Sequence, residues 1–167
     1  MKIIAIILLA SAMIAAEGDT FVDAYAFGLS KHTRDDCYYK GDHNFEFNER
    51  NYGLGVGYGK VVSKHFDVMA LGGVYKDSYN ETARFALVGV RGWIGDRKGL
   101  HMNLSVNMGH YQGSDFDGIG ILPVLGIGYK RVDLCFTGHP ETKAPDHKDG
   151  VSPGSVGMFL KINVANW

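Results

Sequence analysis

The stretch Gly53-Leu54-Gly55-Val56-Gly57-Tyr58-Gly59 decides how this chain folds. Leu54, Val56 and Tyr58 point one way and the glycines point the other. That period of two belongs to a β-strand, since a helix would repeat its apolar face every three to four residues. A glycine weakens an ordinary strand because it has no side chain to pack. A row of them on one face reads as the inner wall of a narrow barrel that must leave interior space. The pattern continues on both sides. Phe21, Asp23, Tyr25, Phe27 and Leu29 share one side, with Ala24, Ala26 and Gly28 on the other. Ile119-Gly120-Ile121 and Leu125-Gly126-Ile127-Gly128-Tyr129 repeat the apolar–glycine alternation. Eight strands are expected, at about 20–31, 52–62, 66–76, 82–94, 100–110, 119–129, 131–138 and 155–166. Several reach the roughly 9–11 residues that cross a bilayer at a tilt. The expected fold is all-β: an eight-stranded antiparallel up-and-down transmembrane β-barrel, closed so that no strand edge is left exposed.

The joins at 32–51, 77–81, 111–118 and 139–154 are mostly longer than those at 63–65, 95–99 and 130, although 77–81 is no longer than 95–99. Outer-membrane barrels have short periplasmic turns and longer outer loops. The long joins are therefore expected to face the cell exterior. A soluble barrel of lipocalin type would share the alternation without needing the asymmetry. Lys2, the apolar run Ile3 to Ala10, and small Ala12, Ala15 and Ala16 match a secretory leader. Residues 1–16 are read as a signal peptide cut after Ala16, and 17–167 as a single outer-membrane barrel domain.

Composition agrees with this placement. Among 167 residues there are 23 glycines and 12% aromatics, and the formal net charge of −1 gives no footprint for nucleic acid. The mean hydropathy of −0.08 is compatible with a membrane barrel, because polar lumen residues offset apolar lipid-facing ones. The chain ends on Trp167, an aromatic terminus common among outer-membrane barrels. Cys37 and Cys135 could pair in an oxidising compartment, or stand apart as two small apolar residues.

No His-Glu-x-x-His, Cys-x-x-Cys or Gly-x-Ser-x-Gly pattern occurs, and no metal or cofactor is expected. The chemistry that remains is positional. His32 ends the first strand at its outer rim, and Asp77 and Ser78 end the third at the same rim. A histidine, a carboxylate and a hydroxyl are the parts of an acyl-transfer site. Asp-Ser is also ordinary turn chemistry.

Four segments carry a resemblance. Lys31-His32-Thr33-Arg34, Asn48-Glu49-Arg50-Asn51-Tyr52-Gly53, Val74-Tyr75-Lys76-Asp77-Ser78-Tyr79-Asn80 and Ile121-Leu122-Pro123-Val124 are similar, in order and spacing, to the lipid A palmitoyltransferase (PagP) family. The resemblance covers most of the chain from about Tyr25 onward. It implies an outer-membrane enzyme that moves a palmitoyl chain from a phospholipid donor to lipid A, needs no cofactor, and is read here as a monomer. It implies that His32, Asp77 and Ser78 are catalytic, with His32 as general base. Asp77 would orient His32 or hold substrate polar groups, and Ser78 is left open as a nucleophile. It implies that Asn48, Glu49 and Arg50 contact headgroups or brace the first loop, and that Pro123 helps open the wall to lipid. Gly89 would set the depth of the acyl pocket, with Gly92 as a rival.

Two departures stand out. The family begins with an amphipathic helix, whereas this chain passes almost directly from Ala16 into its first strand, and the join at 139–154 is long and charged. The alternative function is a non-catalytic barrel that presents its loops for adhesion, shielding or receptor interference. The lumen discriminates between the two. Asp23, Tyr25, Arg84 and Arg91 packed as a salt-bridged plug would leave no room for an acyl chain. Gly53, Gly55, Gly57 and Gly89 around an open cavity would keep the enzyme reading.

Overall fold

The computed structural model describes residues 19–33, 36–39, 42–114, 116–143, 151–152 and 154–165. The expected leader at 1–16 lies outside the described residues. Eight long strands build the wall: β1 (Thr20–His32), β4 (Arg50–Ser63), β5 (Phe66–Lys76), β6 (Thr82–Gly95), β7 (Leu100–Gln112), β8 (Asp117–Tyr129), β9 (Val132–His139) and β12 (Ser155–Ala165). Each pairs antiparallel with its sequence neighbour in the wall, and β1 closes on β12 to complete the barrel. The first long join carries a hairpin, β2 (Asp36–Tyr39) with β3 (Asp42–Glu46). The last carries a short pair, β10 (Thr142–Lys143) with β11 (Val151–Ser152). Both ladders extend the outer end, as the loop asymmetry requires.

The two faces of the wall are inverted relative to a soluble barrel. Leu54, Ile94, Leu100 and Ile121 are at least two-thirds exposed, while Asp23, Asp67, Arg91, Asp133 and Lys161 are buried inside. An apolar exterior around a polar lumen is the arrangement a bilayer demands, and it sets the lipocalin alternative aside. The glycine row on β4 faces inward, but the space is not left open. A Cβ at Gly59, Gly57 or Gly55 would meet the ring of Phe21, Tyr25 or Phe27 on β1. Those glycines let large rings of the adjacent strand lie across the lumen.

One expectation about β1 is corrected. Strict alternation puts Leu29 on the side of Phe21 to Phe27. The ladder to β12 pairs Phe27 with Phe159 and then Leu29 with Met158, so Gly28 is an extra residue and the strand bulges. Leu29 therefore faces outward and is exposed. A bulge re-aims every residue beyond it. Without this one, Lys31 would point inward and His32 outward. With it, Lys31 is exposed and the Nδ1 atom of His32 is buried.

Candidate active site

The lumen is divided by depth. The inner half, near the short turns, is filled by a charged cluster. Asp67 accepts hydrogen bonds from Arg91 Nε (3.1 Å), Arg97 Nη1 (2.8 Å) and Trp93 Nε1 (2.5 Å). Asp23 pairs with Arg91 Nη1 at 2.8 Å and accepts from Asn163 at 3.1 Å. Asp133 meets Lys161 at 2.6 Å, His101 at 2.9 Å and Asn103 at 2.7 Å. The Arg91 guanidinium also lies over the Phe21 and Trp93 rings. Asp23, Tyr25 and Arg91 thus do lie inside, but Arg84 is exposed and takes no part in the cluster.

Above the cluster is an apolar cavity of about 780 Å³. Its walls include Phe27, Leu71, Phe85, Leu122, Val124 and Phe159, and Asn107 with Ser105 lies toward the charged cluster. Cys135, also in the wall, is a buried free thiol. The pairing considered for Cys37 falls on a side chain outside the described residues. Gly89 faces inward opposite Met69 and Asn107, and a Cβ there would strike the Asn107 amide oxygen. Asn107 therefore covers Gly89 and meets the cavity in its place. Gly92 lies on the outward face of β6, beside Phe66.

His32, Asp77 and Ser78 all line the mouth of this cavity. The His32 ring stacks on Phe47, with centroids 4.0 Å apart and planes at 11°, and Phe47 meets Tyr79 edge-on at 5.7 Å. His32 lies beyond Leu29, the last apolar residue that β1 turns toward lipid. Burial holds its pKa below the ordinary imidazole value, against the opposing pull of Glu49. The imidazole is neutral at pH 7 and able to accept a proton.

Asp77 is buried and occupied on both oxygens. Oδ1 accepts from the backbone N–H groups of Tyr79 (3.0 Å) and Glu81 (2.9 Å), so the turn reading of Asp-Ser is correct as far as it goes. Oδ2 accepts from Ser114 N (2.9 Å) and Ser114 Oγ (2.6 Å). These bonds tie the β5–β6 turn to the β7–β8 turn, and none of them reaches His32. Asn48 braces the same turn: its N–H donates to Ser78 O at 2.7 Å and its Nδ2 to Asp77 O at 3.1 Å. Glu49 pairs with Lys31 at 2.7 Å. Arg50 is exposed on a rim groove of about 440 Å³, which His32 and Phe47 share with the apolar cavity. Sequence reasoning missed Phe47 and Ser114. Phe47 directly precedes the Asn48-Glu49-Arg50 motif, the one local hint. Ser114 is brought in by loop adjacency alone.

The β8–β9 ladder runs from Tyr129↔Val132 to Val124↔Thr137 and stops at Pro123. Proline has no N–H to continue a ladder. Thr137 Oγ1 instead donates to Pro123 O at 2.7 Å. Beyond that point β8 has no β9 partner, and Ile119, Ile121 and Gly138 flank the cavity along the seam.

A lipid-facing barrel, sealed below by buried charge and hollow above, with a seam beside the hollow, defines an outer-membrane β-barrel protein with an apolar cavity in its lumen. The model of the family described as "Antimicrobial peptide resistance and lipid A acylation protein PagP" matches residues 12–150, and the chain belongs to that family. Among solved structures, the crystal structure of Ail, the attachment invasion locus protein of Yersinia pestis, is similar at 9% identity and a TM-score of 0.41, covering 89% of this chain and 99% of that one. No curated protein sequence matches the chain.

Proposed function

We propose that this protein transfers a fatty acyl chain, palmitoyl in the family's pattern, from a phospholipid to lipid A in the outer membrane. The observation that supports this reading is the apolar cavity that His32, Asp77 and Ser78 all line. The donor chain enters from the lipid, with Pro123 marking the seam, and lies among Phe27, Leu71, Phe85 and Phe159. Each buried methylene gains about 0.8 kcal/mol, so a cavity of fixed depth discriminates between chain lengths. A larger side chain at Gly89 would act by driving Asn107 into the cavity.

The acceptor hydroxyl attacks the donor ester carbon while its proton passes to neutral His32. Collapse of the intermediate breaks the bond to the glycerol oxygen, which takes the proton back from His32. Asp77 holds the β5–β6 turn against Ser114 and so fixes where Ser78 sits. In this role Asp77 positions the site through its loop. Asn48 and Glu49 brace the first loop, and Arg50 faces the groove where headgroups would lie.

The test is mass spectrometry of lipid A from a Gram-negative host that lacks lipid A palmitate and expresses this chain. A gain of one acyl group is expected, abolished by His32→Ala in a barrel that keeps its heat-modifiable gel mobility. No gain from the wild-type barrel, folded by the same criterion, rejects the reading.

A further inference from the structure

The reaction just described must stabilise an oxyanion as the ester carbon becomes tetrahedral. Several donors at the mouth are engaged elsewhere. The N–H groups of Tyr79, Glu81 and Ser114 and the Ser114 hydroxyl all serve Asp77. Asn48 Nδ2 serves Asp77 O and Arg50 O, and Asn51 Nδ2 serves Lys76 O at 3.0 Å. Among the described residues, two buried hydroxyls that line the cavity have no partner, Ser30 Oγ and Tyr111 Oη, and of these only Tyr111 is carried on a rigid ring. Tyr111 is the penultimate residue of β7, three positions before Ser114, and its side chain lines the cavity. Its Oη is buried and has no hydrogen-bond partner. A phenol so placed costs free energy in the resting protein unless a ligand completes it.

The ring is also held in place. It packs on Phe85 with centroids 6.1 Å apart, and on the other side it lies over Gly120, where a Cβ would come within 3.1 Å of Tyr111 Cδ2. Gly120 thus reads as the room made for this ring. A fixed donor, buried in the apolar wall of the cavity that His32 also lines, is the form that electrostatic catalysis takes.

We infer that Tyr111 is a further catalytic residue, whose hydroxyl donates a hydrogen bond to the carbonyl oxygen of the donor ester as that oxygen gains charge. The inference rests on the acyltransferase reading. Tyr111 neither gains nor loses a proton. The acceptor oxygen–carbon bond forms, the glycerol oxygen–carbon bond breaks, the proton travels through His32, and the Tyr111 bond strengthens and relaxes with the oxyanion.

Tyr111→Phe removes the hydroxyl and keeps the packing. In a detergent assay with a radiolabelled phospholipid donor and lipid A, kcat is expected to fall about 10²–10³-fold with little change in KM, the loss typical of one missing oxyanion donor. Inhibition by an ether-linked phospholipid, which has the chain but no ester carbonyl, is expected to be unchanged. A kcat within threefold of wild type overturns the inference and leaves the acyltransferase reading standing. Weakening of the ether inhibitor in parallel with kcat would assign Tyr111 a packing role and also overturns it. Absence of transfer by the wild-type protein overturns both.

Discussion

The inner and outer halves of the lumen are built from the same strands and the same alternation, yet the inner half pairs its charges while the outer half surrounds neutral polar atoms with apolar wall. In the inner half Asp23, Asp67 and Asp133 are each met by a cation and by further donors. In the outer half Ser30 Oγ, His32 Nδ1, Asn51 Oδ1, Asn107 Oδ1 and Tyr111 Oη are buried without a partner, and all five residues line one cavity; the inner half also leaves Arg97 Nε and Asn163 Oδ1 unpaired, but its carboxylates are all met. Buried polar groups are normally satisfied, because an unsatisfied one costs on the order of 1–3 kcal/mol. The first region closes the barrel and stabilises it. The second keeps polar atoms waiting in an apolar wall, as a binding site does.

The contrast should break first in the inner half. Arg91→Met leaves Asp23 and Asp67 buried without their shared cation, and breaking a buried pair costs about 3–5 kcal/mol. Denaturant unfolding from lipid vesicles, followed by the fluorescence of Trp93 in the same cluster, should show a loss of that size. A loss under about 1 kcal/mol would mean that the cluster does not hold the barrel together. The opposite expectation applies at the mouth. Ser30→Ala removes a buried hydroxyl that has no partner, so stability should stay within about 0.5 kcal/mol of wild type or rise slightly. A loss comparable with that of Arg91→Met would erase the distinction between the halves.

Much of the architecture was legible because a half-buried strand prints its two faces on the sequence. Leu54, Val56 and Tyr58 announced the lipid face, and the long first and last joins announced the outer end. Two things were hidden. Gly28 looks like any other small residue in an alternating run, yet it is the bulge that turns His32 into the lumen. A glycine inside a strand can signal a bulge, but its effect on later residues appears only once the register is known. The division of the lumen was hidden as well. Asp23, Asp67, Arg91, Asp133 and Lys161 come from five different strands, and the stagger of a closed barrel is what brings them to one depth. The resemblance implied that Asp77 orients His32 or holds substrate polar groups, whereas its carboxylate bonds to its own turn and to Ser114.

If the protein is the proposed acyltransferase, one acyl chain lies inside the outer half of this barrel and stops at Asn107. Anomalous diffraction from crystals grown with a phospholipid whose acyl chain carries bromine on its terminal carbon tests this directly. The bromine peak is expected inside the wall, near Asn107 and Val124 and short of Arg91. A peak found only on the lipid-facing surface, or no ordered chain within the lumen, would contradict it.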